Sequence, residues 1–213
     1  VDSIRNKLSK YIHLLIDESD TDGLNKMLDE IKTSAVIIDE IGLKQPTICA
    51  ILLFNPVLNN YLSVDDITKE FGDEVKTIIV GLKRINEFSE NKKAIESENY
   101  IKLLLSIAED IRVVFIMLAQ QLHYMREGKS LSQAERLKIS VESIYLYAPL
   151  AHRMGLYNIK SELEDLSLKY TDRETYDFIA RKLNETKRSR DKYINDFILP
   201  VQNRLDSTGL DYD

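Results

Sequence analysis

Apolar residues recur every three or four positions through almost all of this chain, and little interrupts them. Ile4, Leu8, Tyr11, Ile12 and Leu15 fall on one face of a first helix, from Ser3 to about Ile16. The 213 residues include seven Gly and four Pro, too few breakers for a sandwich of short strands. The spacing therefore predicts an all-α chain, and its few breakers mark the helix ends.

A second helix is expected from about Gly23 to Ile41, ending at Gly42. Gln45-Pro46 then opens a short buried helix, because proline suits a first helical turn; Asn55-Pro56 ends it. Ser63 with Asp66 reads as a capping-box variant for a helix ending at Gly72, and the next helix runs from Asp73 to about Phe88. Ser89 to Ser97 is the best loop candidate. Glu98 to Arg126 carries one or two apolar helices, with Ile111, Val114, Phe115, Leu118, Leu122 and Met125 as a stripe. Single helices are expected over Ser132–His152 and Asn158–Tyr170. Asp172 caps a long last helix through about Leu199, where Pro200 should break or kink it.

Composition narrows the function classes. Hydrophobic residues at 44% and charged residues at 30% are the balance of a chain that buries a core. A net charge of −6 argues against nonspecific nucleic-acid binding, and the basic run Lys187-Arg188-Ser189-Arg190 with Lys192 reads as a solvated helix face. Cys49 is the one cysteine, so there is no disulfide framework; within an apolar run it reads as a buried, inert thiol. No apolar stretch approaches the ~20 residues of a membrane span, and nothing reads as a signal peptide, so a cytoplasmic location is expected. The chain opens at Val1 rather than Met, as a trimmed segment would.

Residue types alone give little chemistry. His13, His123 and His152 are not paired at the spacing that places two ligands on one helix face. Asp65-Asp66, Glu109-Asp110 and Glu164-Asp165 suit caps and helix surfaces, and there is no glycine-rich phosphate loop.

Three stretches carry a resemblance. Tyr147-Ala148-Pro149-Leu150-Ala151-His152-Arg153-Met154-Gly155 is followed by Ile159-Lys160 and Glu162-Leu163-Glu164-Asp165-Leu166. Glu109-Asp110-Ile111-Arg112-Val113-Val114 runs into Leu118-Ala119-Gln120-Gln121-Leu122-His123-Tyr124-Met125-Arg126. Asp66-Ile67 leads to Phe71-Gly72, Glu74-Val75 and Gly81-Leu82. In this order they resemble the N-terminal half of RelA/SpoT-family proteins, which make and degrade the alarmone (p)ppGpp. The resemblance implies an HD-type helical bundle over residues 1–155 and a helical extension over 156–213 towards a synthetase domain.

The departures fall on the hydrolase centre. Family hydrolases carry a His-Asp dipeptide followed by two acids; here Phe54 and Asn55 stand for the dipeptide, and Leu58 and Asn59 for the acids. A further ligand Asp is Gln120, the nucleotide-pocket Asn is Tyr124, and the upstream ligand His falls near Glu30. His123, Arg126, His152 and Arg153 keep the family's residue types. A hard divalent cation needs anionic or imidazole donors, so the resemblance implies a lost Mn²⁺ site, with no catalytic and no metal-binding residue. Phe54 and Leu58 are expected to fill the vacated cavity.

The reading that follows is a pseudo-hydrolase module of a GTP pyrophosphokinase. It is inactive by itself, with the synthetase domain of the same protein as its partner and Mg²⁺ serving only that domain. Two alternatives stay open: a hydrolase with a rebuilt site using Glu30, and a pocket that binds (p)ppGpp or another guanine nucleotide without cleaving it.

Overall fold

The computed structural model describes residues 2–18, 21–58, 61–90 and 97–206, and every regular element among them is helical. Helices α1 (Asp2–Glu18) and α2 (Thr21–Val36) open the chain. The second does not stay α-helical to Ile41, because Ile37–Ile41 form a π turn. Gly42, at φ 79°, closes that turn, as a left-handed terminating glycine should.

Helix α3 (Gln45–Leu53) carries Pro46 in its first turn and buries Thr47 and Cys49 to Leu53. Such all-round burial accounts for its uninterrupted apolar sequence. The lone thiol is free and buried within it. Helix α4 (Val64–Phe71) starts on the expected capping box: Asp66 N donates to Ser63 Oγ at 3.1 Å, and Ser63 N donates to Asp66 Oδ2 at 3.1 Å. Tyr11 of α1 donates its hydroxyl to Glu70 Oε1 at 2.9 Å, and its ring packs 6.0 Å from that of Phe71.

Helices α5 (Asp73–Glu90), α6 (Ser97–Ile107) and α7 (Ile111–Arg126) follow. Most of the loop expected between α5 and α6, residues 91–96, lies outside the described residues. Helix α7 packs against α2, α3, α5 and α8 (Gln133–Glu142). Val114, Leu118, Leu122 and Met125 are fully buried on it, while Ile111 is 47% exposed. Ile111 therefore leaves the expected stripe: it is the first residue after the Asp110 cap, ahead of the point where the helix enters the core.

The single helix expected over Ser132–His152 is three pieces. After α8 comes a π turn, Ser143–Tyr147, and then α9 (Ala148–Arg153). Pro149 has no N–H to bond back to Tyr145, and a wider turn ahead of it accommodates the mismatch. Helix α10 (Tyr157–Thr171) is next. The last helix, α11 (Arg173–Asp206), is neither ended at Leu199 nor broken at Pro200. Proline removes one hydrogen bond there, and helix-compatible residues on both sides continue the coil.

The chain divides into two compact units, residues 1–167 and 168–213. The first holds the buried core. The second is dominated by α11, capped where Thr175 N donates to Asp172 Oδ1 at 2.9 Å. Lys187 and Lys192 are exposed on it, while the side chains of Arg188, Ser189 and Arg190 lie outside the described ones.

One glycine fixes how closely two core elements approach. A Cβ on Gly81 of α5 would sit 2.7 Å from Val113 Cγ2 and 3.1 Å from the Ala108 carbonyl oxygen. Neither the backbone carbonyl nor a fully buried valine yields easily. Gly81→Ala should therefore destabilise the fold by roughly 1–3 kcal/mol, read as a lower urea midpoint; a midpoint equal to the parent's would show that α5 and α7 can separate freely.

Candidate functional site

Helices α2, α3, α5 and α7 do not close completely against one another. They leave a cavity of about 320 Å³, within the range of small-molecule sites. Glu30, Phe54, Gln120 and Tyr124 line it together, although they come from three separate regions of the sequence. Helix α2 presents Lys26, Asp29 and Glu30 to it, and α7 presents Gln120, Gln121 and Tyr124, each at helical spacing.

Beside the cavity lies a buried amide–carboxylate pair. Asn55 is 1% exposed, and its Nδ2 donates to both Glu30 carboxylate oxygens at 3.2 Å. The amide orientation is fixed from the other side, since Asn55 Oδ1 accepts the Val57 N–H at 3.0 Å. Glu30, 6% exposed, is pushed up from 4.5 to about 7. Burial is the main cause; it outweighs the Asn55 hydrogen bond and the attraction of Lys26, and Asp29 adds repulsion. The Tyr124 phenol is also raised, by partial burial and then by Asp29 and Glu30.

The other expected positions lie elsewhere. Leu58 is 1% exposed and packs in the core without lining the cavity, so it does not help to fill the space. Phe54 lines the cavity but leaves it open. Asn59 lies outside the described residues. His123, next to Tyr124 on α7, bonds through Nε2 to Asp29 Oδ1 at 2.9 Å. Arg126 holds Glu162 of α10 through two bonds of 2.7 and 2.6 Å, and Glu40 of the first π turn at 2.6 Å. These contacts raise the already high pKa of the guanidinium, with the Glu162 bonds contributing most. His152 is exposed, edge-on to Tyr157 with centroids 5.5 Å apart. Arg153 is exposed at the end of α9, and neither residue lines the cavity.

Sequence reasoning did not single out Lys26, Asp29, Asn86, Gln121 or Tyr147 as cavity residues. Asp29 and Asn86 carried a usable signal, since each shares a helix face with buried neighbours. Gln121 carried none: its Nε2 donates to Ser143 Oγ at 2.8 Å and to the Ile139 carbonyl at 3.1 Å, contacts that only the fold creates.

As a donor set for a divalent cation, these positions fit poorly. Phe54 has no donor atom, Gln120 offers a neutral amide, and the Asn55 oxygen is committed to the Val57 N–H. Glu30 offers a carboxyl group, but it is bound to Asn55. Among the described residues, no three His, Cys, Asp or Glu side chains gather as a metal-binding group.

The raised Glu30 pKa makes a signed prediction. The folded protein holds the Glu30 proton more tightly than the unfolded chain. Ionised Glu30 therefore costs stability fully above pH about 7, and the cost disappears as pH falls towards 4.5. Its size is on the order of 3 kcal/mol. Glu30→Gln should be more stable than the parent in urea unfolding at alkaline pH, with the advantage gone in mild acid. A difference that does not change with pH would mean the carboxyl is not desolvated.

Comparison with known proteins identifies the fold family. The HD-domain family model matches residues 9–157. A GTP pyrophosphokinase of Myxococcus xanthus is 33% identical over 180 residues, 83% of this chain and 24% of that protein. A guanosine-3′,5′-bis(diphosphate) 3′-pyrophosphohydrolase of Aquifex aeolicus is 32% identical over 178 residues, covering 83% of this chain and 25% of the relative. The bifunctional (p)ppGpp synthase/hydrolase SpoT of Escherichia coli K12 is 30% identical over 177 residues, with the same two coverages, 83% and 25%. The chain thus spans about a quarter of the length of the relatives it matches. It belongs to the HD-domain family, in a form similar over most of its length to the RelA/SpoT enzymes of (p)ppGpp metabolism.

Proposed function

We propose that this chain is a hydrolase-like domain that does not hydrolyse, and that it serves as a scaffold and regulator within a larger (p)ppGpp-metabolising protein. The observation that carries the reading is the buried Glu30–Asn55 pair. Where the family's hydrolases place a metal-binding His and Asp, this chain has a phenyl ring and an amide, and the amide is already bonded to the nearest carboxylate. Without a divalent ion there is no activated water and no counter-charge for a pyrophosphate.

The partner in this reading is a synthetase domain of the same protein, which would make the whole a GTP pyrophosphokinase that uses Mg²⁺ in that domain alone. Helix α11, with 34 residues, spans about 50 Å and would carry a change of tilt between domains. The location proposed is the cytoplasm. Among the described residues no helix is long and apolar enough to cross a membrane.

The test is (p)ppGpp hydrolysis by this chain at high concentration with excess Mn²⁺. No pyrophosphate release is expected. Metal-dependent release would overturn the proposal in favour of a rebuilt hydrolase centre. Restoring Phe54→His and Asn55→Asp together should still give no activity, because Gln120 and Leu58 withhold a ligand and an acid. The pair should also destabilise the fold: Asn55→Asp sets a second carboxylate against Glu30, at a cost of about 2–4 kcal/mol at neutral pH. That cost should shrink in mild acid, where the two carboxyls share a proton. Turnover by this double variant would show that the ligand positions are assigned wrongly.

A further inference from the structure

The cavity survives although its metal-binding positions have changed, and the groups around it have a consistent character. Two carboxylates, Asp29 and Glu30, face one ammonium group, that of Lys26, whose residue is exposed. Three aromatic side chains, Phe54, Tyr124 and Tyr147, share the remaining wall with the amide of Gln120 and with aliphatic residues such as Ile51 and Leu82. Glu30 is buried, its partner is the neutral amide of Asn55, and no cationic side chain among the described residues bonds to it. A buried charge is stable when an opposite charge faces it, and the bonds of this carboxylate supply none.

Each class of ligand fares differently here. A phosphate or pyrophosphate would meet like charge from two carboxylates, Asp29 and Glu30, against the one ammonium of Lys26. A divalent cation needs several oxygen or nitrogen donors at once, and Asn55 and His123 already engage the carboxylates of Glu30 and Asp29. A neutral ligand would add no charge opposite Glu30 beyond that of Lys26. An organic ammonium matches both features, since it pairs with a carboxylate and is attracted to aromatic faces. We propose that this cavity receives a small aliphatic amine as its ammonium ion, with Glu30 as counter-charge, the Gln120 amide oxygen as acceptor and Phe54, Tyr124 and Tyr147 as walls. The cavity would then have reversed the sign of the ligand it accepts. The inference rests on the reading that no Mn²⁺ occupies it.

The experiment is calorimetric titration of the full chain with diaminobutane at alkaline pH in the presence of a chelator. Saturable binding near one ligand per chain is expected, weakened by about tenfold or more in Glu30→Gln, as for loss of a charged partner. Since that variant should fold at least as stably as the parent, weaker binding there reports the lost charge. Phe54→Leu should weaken binding as well. No saturable heat up to millimolar diamine, or equal affinity in Glu30→Gln, overturns the amine site. Titrations with Mn²⁺ and with guanosine diphosphate separate the two readings. Tight Mn²⁺ binding with hydrolysis overturns the inactive-domain proposal and this one together, whereas failure of diamine with no Mn²⁺ binding overturns only this one. Binding of the nucleotide in place of the amine would show that the cavity kept its anionic ligand.

Discussion

A helix enclosed by neighbours on most sides must be apolar on most sides, and unit 1 is assembled around one such helix, α7. Val113, Val114, Ile116, Leu118, Ala119, Leu122 and Met125 bury fully or nearly so along it. At ~1.5–3 kcal/mol for each large side chain withdrawn from water, this helix fixes where α2, α3, α5 and α8 can lie. Its polar residues then have few places to go. Gln121 reaches across to Ser143, His123 to Asp29 and Arg126 to Glu40 and Glu162, so each is anchored to a different element. The cavity lies where Gln120 and Tyr124 interrupt the apolar surface of α7 and α2 brings its carboxylates opposite.

Much of the fold was legible because helices announce themselves through period and caps. Ser63 with Asp66 and Asp172 with Thr175 are local signals, and local geometry realises them. What the period could not give was its own interruptions: the two π turns leave composition unchanged and show only in hydrogen bonding. Ile111 was assigned to the core by spacing alone, which carries no information on how deeply a helix end is set. Pro200 is a strong local breaker, yet a 34-residue helix continues through it.

The candidate site was legible in a different way. The family resemblance singled out Glu30, Phe54, Gln120 and Tyr124, and the fold brings those four to one cavity. The pairing of Asn55 with Glu30 was not readable, since the sequence position of an asparagine says nothing about which carboxylate it will meet. Nor was the open volume. Filling by Phe54 and Leu58 was the natural expectation, but Leu58 points into the core and helix spacing, set by many contacts, does not collapse around one ring.

The turn at Ser143–Tyr147 has a consequence for how this stretch relates to the residues around it. A π turn holds one residue more than an α turn, and each residue of a helix advances the side-chain direction by about 100°. The segment therefore resets the phase of the helix that contains it. Ala148, Leu150 and Ala151 are buried while His152 and Arg153 are exposed, on a piece of helix that begins directly after that turn. The extra residue acts as a built-in frame correction. In this stretch, a one-residue deletion and a change of face are the same event.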